Sequence, residues 1–212
     1  MEKFELLYKV LLSLHHASVL NDCVLIGSWC QDFYRHLYGN PFQIPAATTT
    51  DADLLLPKKL KFKPPVDIAG IMEETGFTIE HERTDGLMRF IHEDFKVEFI
   101  TEAGAKGDEA VHRFKNLSIT AQELHFMSIP IDYNIQVPFR DIVVRIPEPE
   151  AFALHKLIVS QRRANQDKKL KDIAAARGLL EFFEDDESRI RRLHEIYNVL
   201  QMHPLLVKLC KL

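Results

Sequence analysis

Two carboxylates interrupt an apolar run in the stretch Thr49-Thr50-Asp51-Ala52-Asp53-Leu54-Leu55-Leu56, which is followed by a proline. The pattern predicts a β-strand from Asp51 to Leu56, and residues two apart on a strand project to the same face. Two carboxylates on an apolar strand repel each other and resist desolvation. A strand tolerates them where a divalent cation neutralises them, or where both lie at its solvent-exposed end. Both interpretations place Asp51 and Asp53 near a strand terminus.

A second strand offers a third acid. In Phe95-Lys96-Val97-Glu98-Phe99, apolar residues alternate with charged ones, which predicts a half-buried strand. If this strand lies beside the one that carries Asp51, Glu98 can point to the same face. Three carboxylates would then supply the hard oxygen ligands that Mg²⁺ or Mn²⁺ prefers. Alternatively, Glu98 belongs to a solvated face and pairs with Lys96.

A glycine-serine turn precedes both strands. The apolar run Cys23-Val24-Leu25-Ile26 predicts a buried strand that ends at Gly27-Ser28, and a helix is expected from Trp29 to Tyr38. Glycine lets the backbone approach a ligand closely, and the free amides at the start of a helix favour phosphate oxygens. The Ser28 hydroxyl could bond terminal phosphates or simply cap the helix.

The rest of the chain predicts an α+β fold with two domains. A helix is expected within residues 2–20, and strands within 77–101, where His92-Glu93-Asp94 suits a hairpin turn. The pattern becomes helical almost throughout after the prolines near residue 147. We therefore expect a mixed β-sheet flanked by helices over residues 1–146 and a helical domain over residues 147–212.

Composition excludes several classes of function. The 27 Lys and Arg residues against 31 Asp and Glu residues give a net charge of −4, which is no general signature of nucleic-acid binding. No apolar stretch approaches the roughly 20 residues of a membrane helix, and the start lacks the pattern of a signal peptide. Three cysteines without metal-ligand spacing, and scattered histidines, favour reduced thiols over a zinc site. These features predict a cytoplasmic protein without a membrane partner.

The order of these motifs resembles a known family. Leu25-Ile26-Gly27-Ser28, then Thr49-Thr50-Asp51-Ala52-Asp53-Leu54, then Val97-Glu98-Phe99 is similar to the core of DNA polymerase beta-like nucleotidyltransferases. The helical part adds a second likeness, to bacterial enzymes related to toxin-antitoxin and abortive-infection nucleotidyltransferases. That likeness is carried by Pro149-Glu150, His155-Lys156-Leu157, Arg162-Arg163, Lys168 and Lys171-Asp172.

The resemblance implies a fold, an activity and a set of site residues. It implies a nucleotidyltransferase core in which the catalytic acids Asp51, Asp53 and Glu98 bind two Mg²⁺ ions. Gly27, Ser28 and Thr49 would contact a nucleoside triphosphate such as ATP. A nucleoside monophosphate would pass to an acceptor hydroxyl, with release of pyrophosphate. The acceptor stays open between a small molecule, a tRNA end and a protein side chain.

Two lysines of the helical part complete the expected nucleotide site. A triphosphate carries more negative charge than the metal ions alone balance, so Lys168 or Lys156 could close over it. The alternative is an ordinary solvated helix face, because Lys168 and Asp172 fall at i,i+4.

Departures from the family pattern keep other functions open. Trp29 is bulkier than the small residue that often follows the turn, and Glu98 stands where aspartate is commoner. No Arg or Lys lies in residues 44–50, although relatives often carry one there. The second hypothesis is therefore a nucleotide-binding or interaction module without catalysis, possibly of a toxin-antitoxin system. A third is an unrelated α+β protein whose acids are surface features.

Overall fold

The computed structural model describes residues 2–47, 49–60, 64–82, 86–93, 95–104 and 110–200. Within these ranges the chain forms seven α-helices and nine β-strands. The helices are α1 Glu2–His16, α2 Trp29–Leu37, α3 Ile68–Glu74, α4 Ser128–Asp132, α5 Pro149–Ser160, α6 Gln166–Phe183 and α7 Glu187–Leu200. The strands are β1 Val24–Ile26, β2 Asp51–Leu55, β3 Thr78–Glu82, β4 Leu87–His92, β5 Phe95–Glu102, β6 Val111–Phe114, β7 Ile119–Leu124, β8 Asn134–Phe139 and β9 Ile142–Pro147.

The chain divides into two compact units. One comprises Met1–Trp29 with Thr48–Ile146, and the other comprises Cys30–Ala47 with the residues from Pro147 onward. The domain boundary near residue 147 stays a prediction. The structure adds that Cys30–Ala47 groups with the residues after Ile146, whereas the sequence analysis kept this segment within 1–146.

The first unit is built on a mixed seven-stranded sheet. Strands follow one another in the order β1-β2-β5-β4-β3, and β6 and β7 extend the sheet because β7 also pairs with β5. Strand β2 runs parallel to β5, whereas β1 and β4 run antiparallel to their neighbours. The α+β fold class with a mixed sheet, flanking helices and a helical C-terminal part is confirmed. Strands β8 and β9 form a separate two-stranded sheet.

The polarity of one sheet face changes along its strands. Val24, Ile26, Leu55, Ile100 and Met127 form a buried apolar cluster at one end. Because residues two apart share a face, Leu55 belongs to the same face as the two aspartates of β2. The face is therefore closed by packing at one end and carries charged residues at the other.

The second unit is a set of helices that pack through aromatic and buried polar groups. Tyr34 of α2 packs edge-on against Phe152 of α5 with ring centroids 5.5 Å apart, and its buried hydroxyl donates to the Pro147 carbonyl at 2.8 Å. Arg189 of α7 donates to the buried Glu150 carboxylate at 2.9 Å. None of the helices in the described ranges is both long enough and apolar enough to cross a bilayer.

Candidate active site

The two aspartates of β2 lie beside the third acid. Asp51 is the first residue of β2, as both interpretations of the acidic pair predict. In the parallel β2–β5 ladder, Asp53 is paired with Glu98, and Asp51 is paired with Lys96. Paired residues on adjacent strands share a face, so Asp51, Asp53 and Glu98 lie on one face of the sheet, and their roles as metal ligands stay predictions.

The turn at Gly27 lies close to the Asp53 carboxylate. Ile26 at the end of β1 is paired with Asp53, and Gly27 follows with a φ of +79°. A Cβ at Gly27 would lie 2.7 Å from Asp53 Oδ2, which is closer than real side chains allow. Only glycine therefore lets this turn approach the carboxylate so closely. Ser28, which is half-buried, comes directly before the first residue of α2.

Two threonines before β2 hold the main chain and side chain of Asp51. The Thr49 hydroxyl accepts from the Asp51 amide at 3.1 Å and donates to the Asp51 carbonyl at 3.2 Å. The Thr50 hydroxyl donates to Asp51 Oδ1 at 3.2 Å. Thr49 thus fixes the first residue of β2, and its contact with a nucleotide stays a prediction.

Glu98 is engaged by two cations of the sheet. Its Oε1 pairs with the Arg89 guanidinium from β4, and its Oε2 lies 3.4 Å from Lys96 Nζ. The same ammonium lies 3.6 Å from Asp51 Oδ2. The alternative in which Glu98 pairs with Lys96 is thus realised geometrically, although the Glu98 side chain is only 18% exposed.

Glu98 has two cationic partners in the described ranges, and Asp51 shares one of them. Within the described ranges, no three His, Cys, Asp or Glu side chains gather closely enough to hold a metal ion. Asp51 and Asp53 offer the hard oxygen ligands that Mg²⁺ prefers, on one face and beside the glycine turn. Glu98 differs, because cations already engage both of its oxygens. A role for the two aspartates in holding a divalent ion stays a prediction, and the third carboxylate is engaged in ion pairs.

Trp29 is a buried packing residue. Its side chain is 2% exposed and meets Phe4 edge-on at 5.0 Å and Phe95 at 6.0 Å between ring centroids. The ring therefore packs between α1 and β5. It is too enclosed to act as a surface on which a base stacks.

The two lysines predicted to bind nucleotide lie in the second unit. Lys156 Nζ donates to Asp172 Oδ1 at 2.7 Å, and Arg163 Nε donates to Asp172 Oδ2 at 2.8 Å. Asp172, which is 5% exposed, therefore joins α5 to α6 and does not simply pair along its own helix with Lys168. The Lys168 side chain is exposed. Roles for Lys156 and Lys168 at a nucleotide stay predictions.

Charge and burial shift the pKa of two groups where α5 meets α6. Burial opposes ionisation of Asp172, but Lys156 and Arg163 outweigh it and hold the pKa of that carboxyl below its usual value. Burial, and then the neighbouring Lys156 ammonium, lowers the pKa of His155 to about 3. His155 is therefore neutral in the folded protein at ordinary pH.

The sequence did not reveal that Arg89 pairs with Glu98, or that Asp172 forms ion pairs that join α5 to α6. Arg89 lies in a strand that the sequence did predict, and its position opposite Glu98 follows once the hairpin pairs His92 with Phe95. The predicted hairpin was therefore the sequence feature that could have identified Arg89 as the partner of Glu98. Asp172 had no such signal, because its partners come from a different helix and from the segment between helices.

Comparisons with known proteins identify the family. The family model described as "Nucleotidyltransferase" matches residues 5–198. No curated protein is significantly similar in sequence. The solved structure of the antibiotic-resistance factor ANT(2″)-Ia aligns with a TM-score of 0.47 and 14% identity, over 95% of this chain and 96% of that one. An antigenic nucleotidyltransferase-like protein from Paracoccidioides brasiliensis aligns with a TM-score of 0.46 and 14% identity, over 98% of this chain and 92% of that one.

Proposed function

Because this chain belongs to the nucleotidyltransferase family, we propose that it transfers a nucleoside monophosphate from a triphosphate such as ATP to an acceptor hydroxyl. A bond forms between the acceptor oxygen and the α-phosphorus. The bond from the α-phosphorus to the bridging oxygen breaks, and its electron pair leaves with pyrophosphate. The acceptor proton passes to solvent. The acceptor is a small molecule, a tRNA end or a protein side chain.

One observation carries the proposal. The glycine turn approaches Asp53 so closely that a Cβ at Gly27 would lie 2.7 Å from its carboxylate oxygen. A backbone suited to phosphate oxygens and a carboxylate suited to a cation therefore lie side by side. A metal–triphosphate complex needs both groups at this spacing.

Each residue of the site has a defined task in this proposal. Gly27 and Ser28 receive the terminal phosphates, and Asp51 and Asp53 hold Mg²⁺ or Mn²⁺. Thr49 keeps Asp51 in place through the two hydrogen bonds to its main chain. The cation, when bound, neutralises phosphate charge and lowers the pKa of the acceptor hydroxyl. Most of the acceleration would come from positioning and electrostatic stabilisation.

Incorporation of label from α-labelled ATP tests the proposal. The full chain is incubated with Mg²⁺ and acceptors of the three classes, as wild type, Asp53→Asn and Glu73→Gln, whose side chain is exposed on α3. We expect label in the wild type and in Glu73→Gln, with at least a roughly 100-fold loss in Asp53→Asn. Equal labelling by Asp53→Asn would remove the catalytic role of that residue.

The ion pairs of Glu98 favour one second candidate. A nucleotide-binding or interaction module without catalysis, such as a member of a toxin-antitoxin pair, has no need of a third acid with free oxygens. Both oxygens of Glu98 are engaged by Arg89 and Lys96. Calorimetry with a triphosphate separates the two candidates. Metal-independent binding without turnover supports the module, and metal-dependent binding supports the enzyme.

A further inference from the structure

We propose that a pocket where β4 meets β7 binds an organic phosphate with an aromatic or apolar body, such as a nucleoside monophosphate. The pocket has a volume of about 410 Å³, within the range of roughly 300–1,000 Å³ that small-molecule sites occupy. None of its described lining residues takes part in the proposed transfer reaction. The inference therefore concerns a second site and goes beyond the proposed function.

Two strands that share one edge of β5 form the base of this pocket. Strand β4 pairs with residues 95–98 of β5 and strand β7 with residues 100–102, whereas β2 occupies the other edge. Thr120 of β7, which is 3% exposed, accepts from the Met88 amide at 2.7 Å and donates to the Gly86 carbonyl at 3.1 Å. A buried hydroxyl therefore holds the start of β4 against the start of β7.

The cationic part of the pocket comes from β6 and from its short connection to β7. This connection is a single 3-10 turn, Lys115–Leu117, followed by Ser118 with a φ of +54°. Arg113, Lys115 and Ser118 line the pocket and are exposed to solvent. None of the described residues that line the pocket is acidic. Two cations and a hydroxyl on one side of a cavity suit the oxygens of a phosphate.

The remaining wall favours an organic phosphate over the inorganic ion. It includes the half-buried Met88, the buried Ile119 and the exposed imidazole of His81, which is paired with Met88 across the β3–β4 ladder. An aromatic ring gains from contact with a methionine sulfur and from stacking on an imidazole. A phosphate or a sugar phosphate alone would leave this wall uncovered. The cations and the wall together therefore fit a ligand with two unlike halves.

Calorimetry on the full chain in EDTA, which removes metal-dependent binding at the acids of β2, tests this inference. The probes are adenosine 5′-monophosphate (AMP), adenosine, which lacks the phosphate, and ribose 5-phosphate, which lacks the base. The wild type is compared with a double variant, Arg113→Gln with Lys115→Gln. The matched control replaces two other exposed cations, Lys9→Gln with Arg177→Gln. Thermal unfolding of each variant establishes that it is folded.

We expect one AMP per wild-type chain, with adenosine and ribose 5-phosphate each bound at least about tenfold more weakly. The Arg113 and Lys115 double variant should lose at least about tenfold in AMP affinity, because its charge-assisted hydrogen bonds to phosphate are removed. The control variant should stay within about twofold of the wild type.

Three results would overturn the inference: no saturable binding of AMP, equal AMP affinity in the Arg113 and Lys115 double variant, or ribose 5-phosphate bound as tightly as AMP. A 5′-phosphorylated RNA trimer distinguishes the two sources of such a ligand. Binding tighter than that of AMP identifies the end of an RNA strand, and weaker binding identifies the free nucleotide. Incorporation of label from ATP is measured separately, so the proposed function stands or fails independently of this pocket.

Discussion

Gly27 and Asp53 are coupled at the scale of single residues. The positive φ of Gly27 belongs to a region that residues with a Cβ rarely adopt, and the missing side chain leaves room for the carboxylate. The sequence alone predicted the turn and the acidic strand as separate motifs. Their contact depends on the antiparallel pairing of Ile26 with Asp53, which no local pattern reveals.

Gly27→Ala should therefore impair nucleotide binding more than it impairs folding. A Cβ with this φ costs about 1–2 kcal/mol of stability. The Asp53 carboxylate would also have to move away from the new methyl group, which removes a cation ligand from its place. We expect Mg²⁺-dependent ATP affinity, measured by calorimetry, to fall at least about tenfold. Gly39→Ala, also at positive φ but with nothing within 4 Å of its Cβ, is the matched control.

His155 should make the protein less stable in mild acid. Its folded pKa of about 3 lies below the ordinary value of 6.5, so the unfolded chain binds a proton in that interval and the folded protein does not. Stability consequently falls as the pH decreases below about 6.5. Between pH 6.5 and pH 5, the free energy of unfolding of His155→Gln should fall by about 1–2 kcal/mol less than that of the wild type. Denaturant titration at the two pH values measures this difference.

The exposed His16→Gln is the control for this measurement, and its pH profile should follow the wild type. A profile of His155→Gln that coincides with the wild type would contradict the assignment of a buried neutral imidazole.

At the scale of elements, the register of neighbouring strands assembles the site. The alternation in residues 95–99 predicted the face of Glu98, and the acidic pair predicted the position of Asp51 at a strand end. A turn that pairs His92 with Phe95 also brings Arg89 opposite Glu98, so this ion pair could have been predicted from the hairpin. The parallel β2–β5 pairing could not, because a parallel ladder joins segments that are distant in sequence.

Other elements lacked a sequence signal. Strand β6, Val111–Phe114, has no clear alternation of apolar and polar residues, and the short helix α4 contains a proline. We predicted neither. Both depend on their neighbours, since β6 is held by its pairing with β7, and Ile131 of α4 packs on the apolar cluster that includes Met127. Tertiary packing of this kind overrides local propensity.

The junction of α5 and α6 should depend strongly on Asp172. Replacing it with Asn leaves Lys156, whose side chain is 13% exposed, and Arg163 without their anionic partner. We expect the free energy of unfolding at pH 7 to fall by about 2–3 kcal/mol, measured by denaturant titration. Asp185→Asn, on an exposed position, should change it by less than about 0.5 kcal/mol. A loss in Asp172→Asn as small as in the control would contradict the structural role of the pair.

At the scale of the whole molecule, one unit is assembled from two distant segments. Gly178 in α6 illustrates how: a Cβ there would lie 2.2 Å from the Gln43 carbonyl oxygen and 2.9 Å from Pro45 Cδ. The segment that contains Gln43 and Pro45 thus packs directly on the helix. The sequence analysis placed this segment in the first domain, because a boundary drawn from composition cannot recognise a segment that packs on helices far along the chain.

Gly178→Ala should destabilise the protein although alanine is the better helix former. The intrinsic gain of about 1 kcal/mol is outweighed by overpacking against a backbone oxygen that cannot turn away. We expect a net loss of about 1–2 kcal/mol in the free energy of unfolding. Arg177→Ala, on the exposed side of the same helix, should be nearly neutral. A stabilised Gly178→Ala would show that α6 and the segment around Gln43 are not in close contact.

The most direct test of the acidic site is a crystal structure of the chain with Mn²⁺ and a non-hydrolysable triphosphate. The account predicts an anomalous peak about 2.1 Å from oxygens of both Asp51 and Asp53, with the terminal phosphates against Gly27 and Ser28. A triphosphate bound elsewhere, or a manganese peak away from the two aspartates, would contradict it.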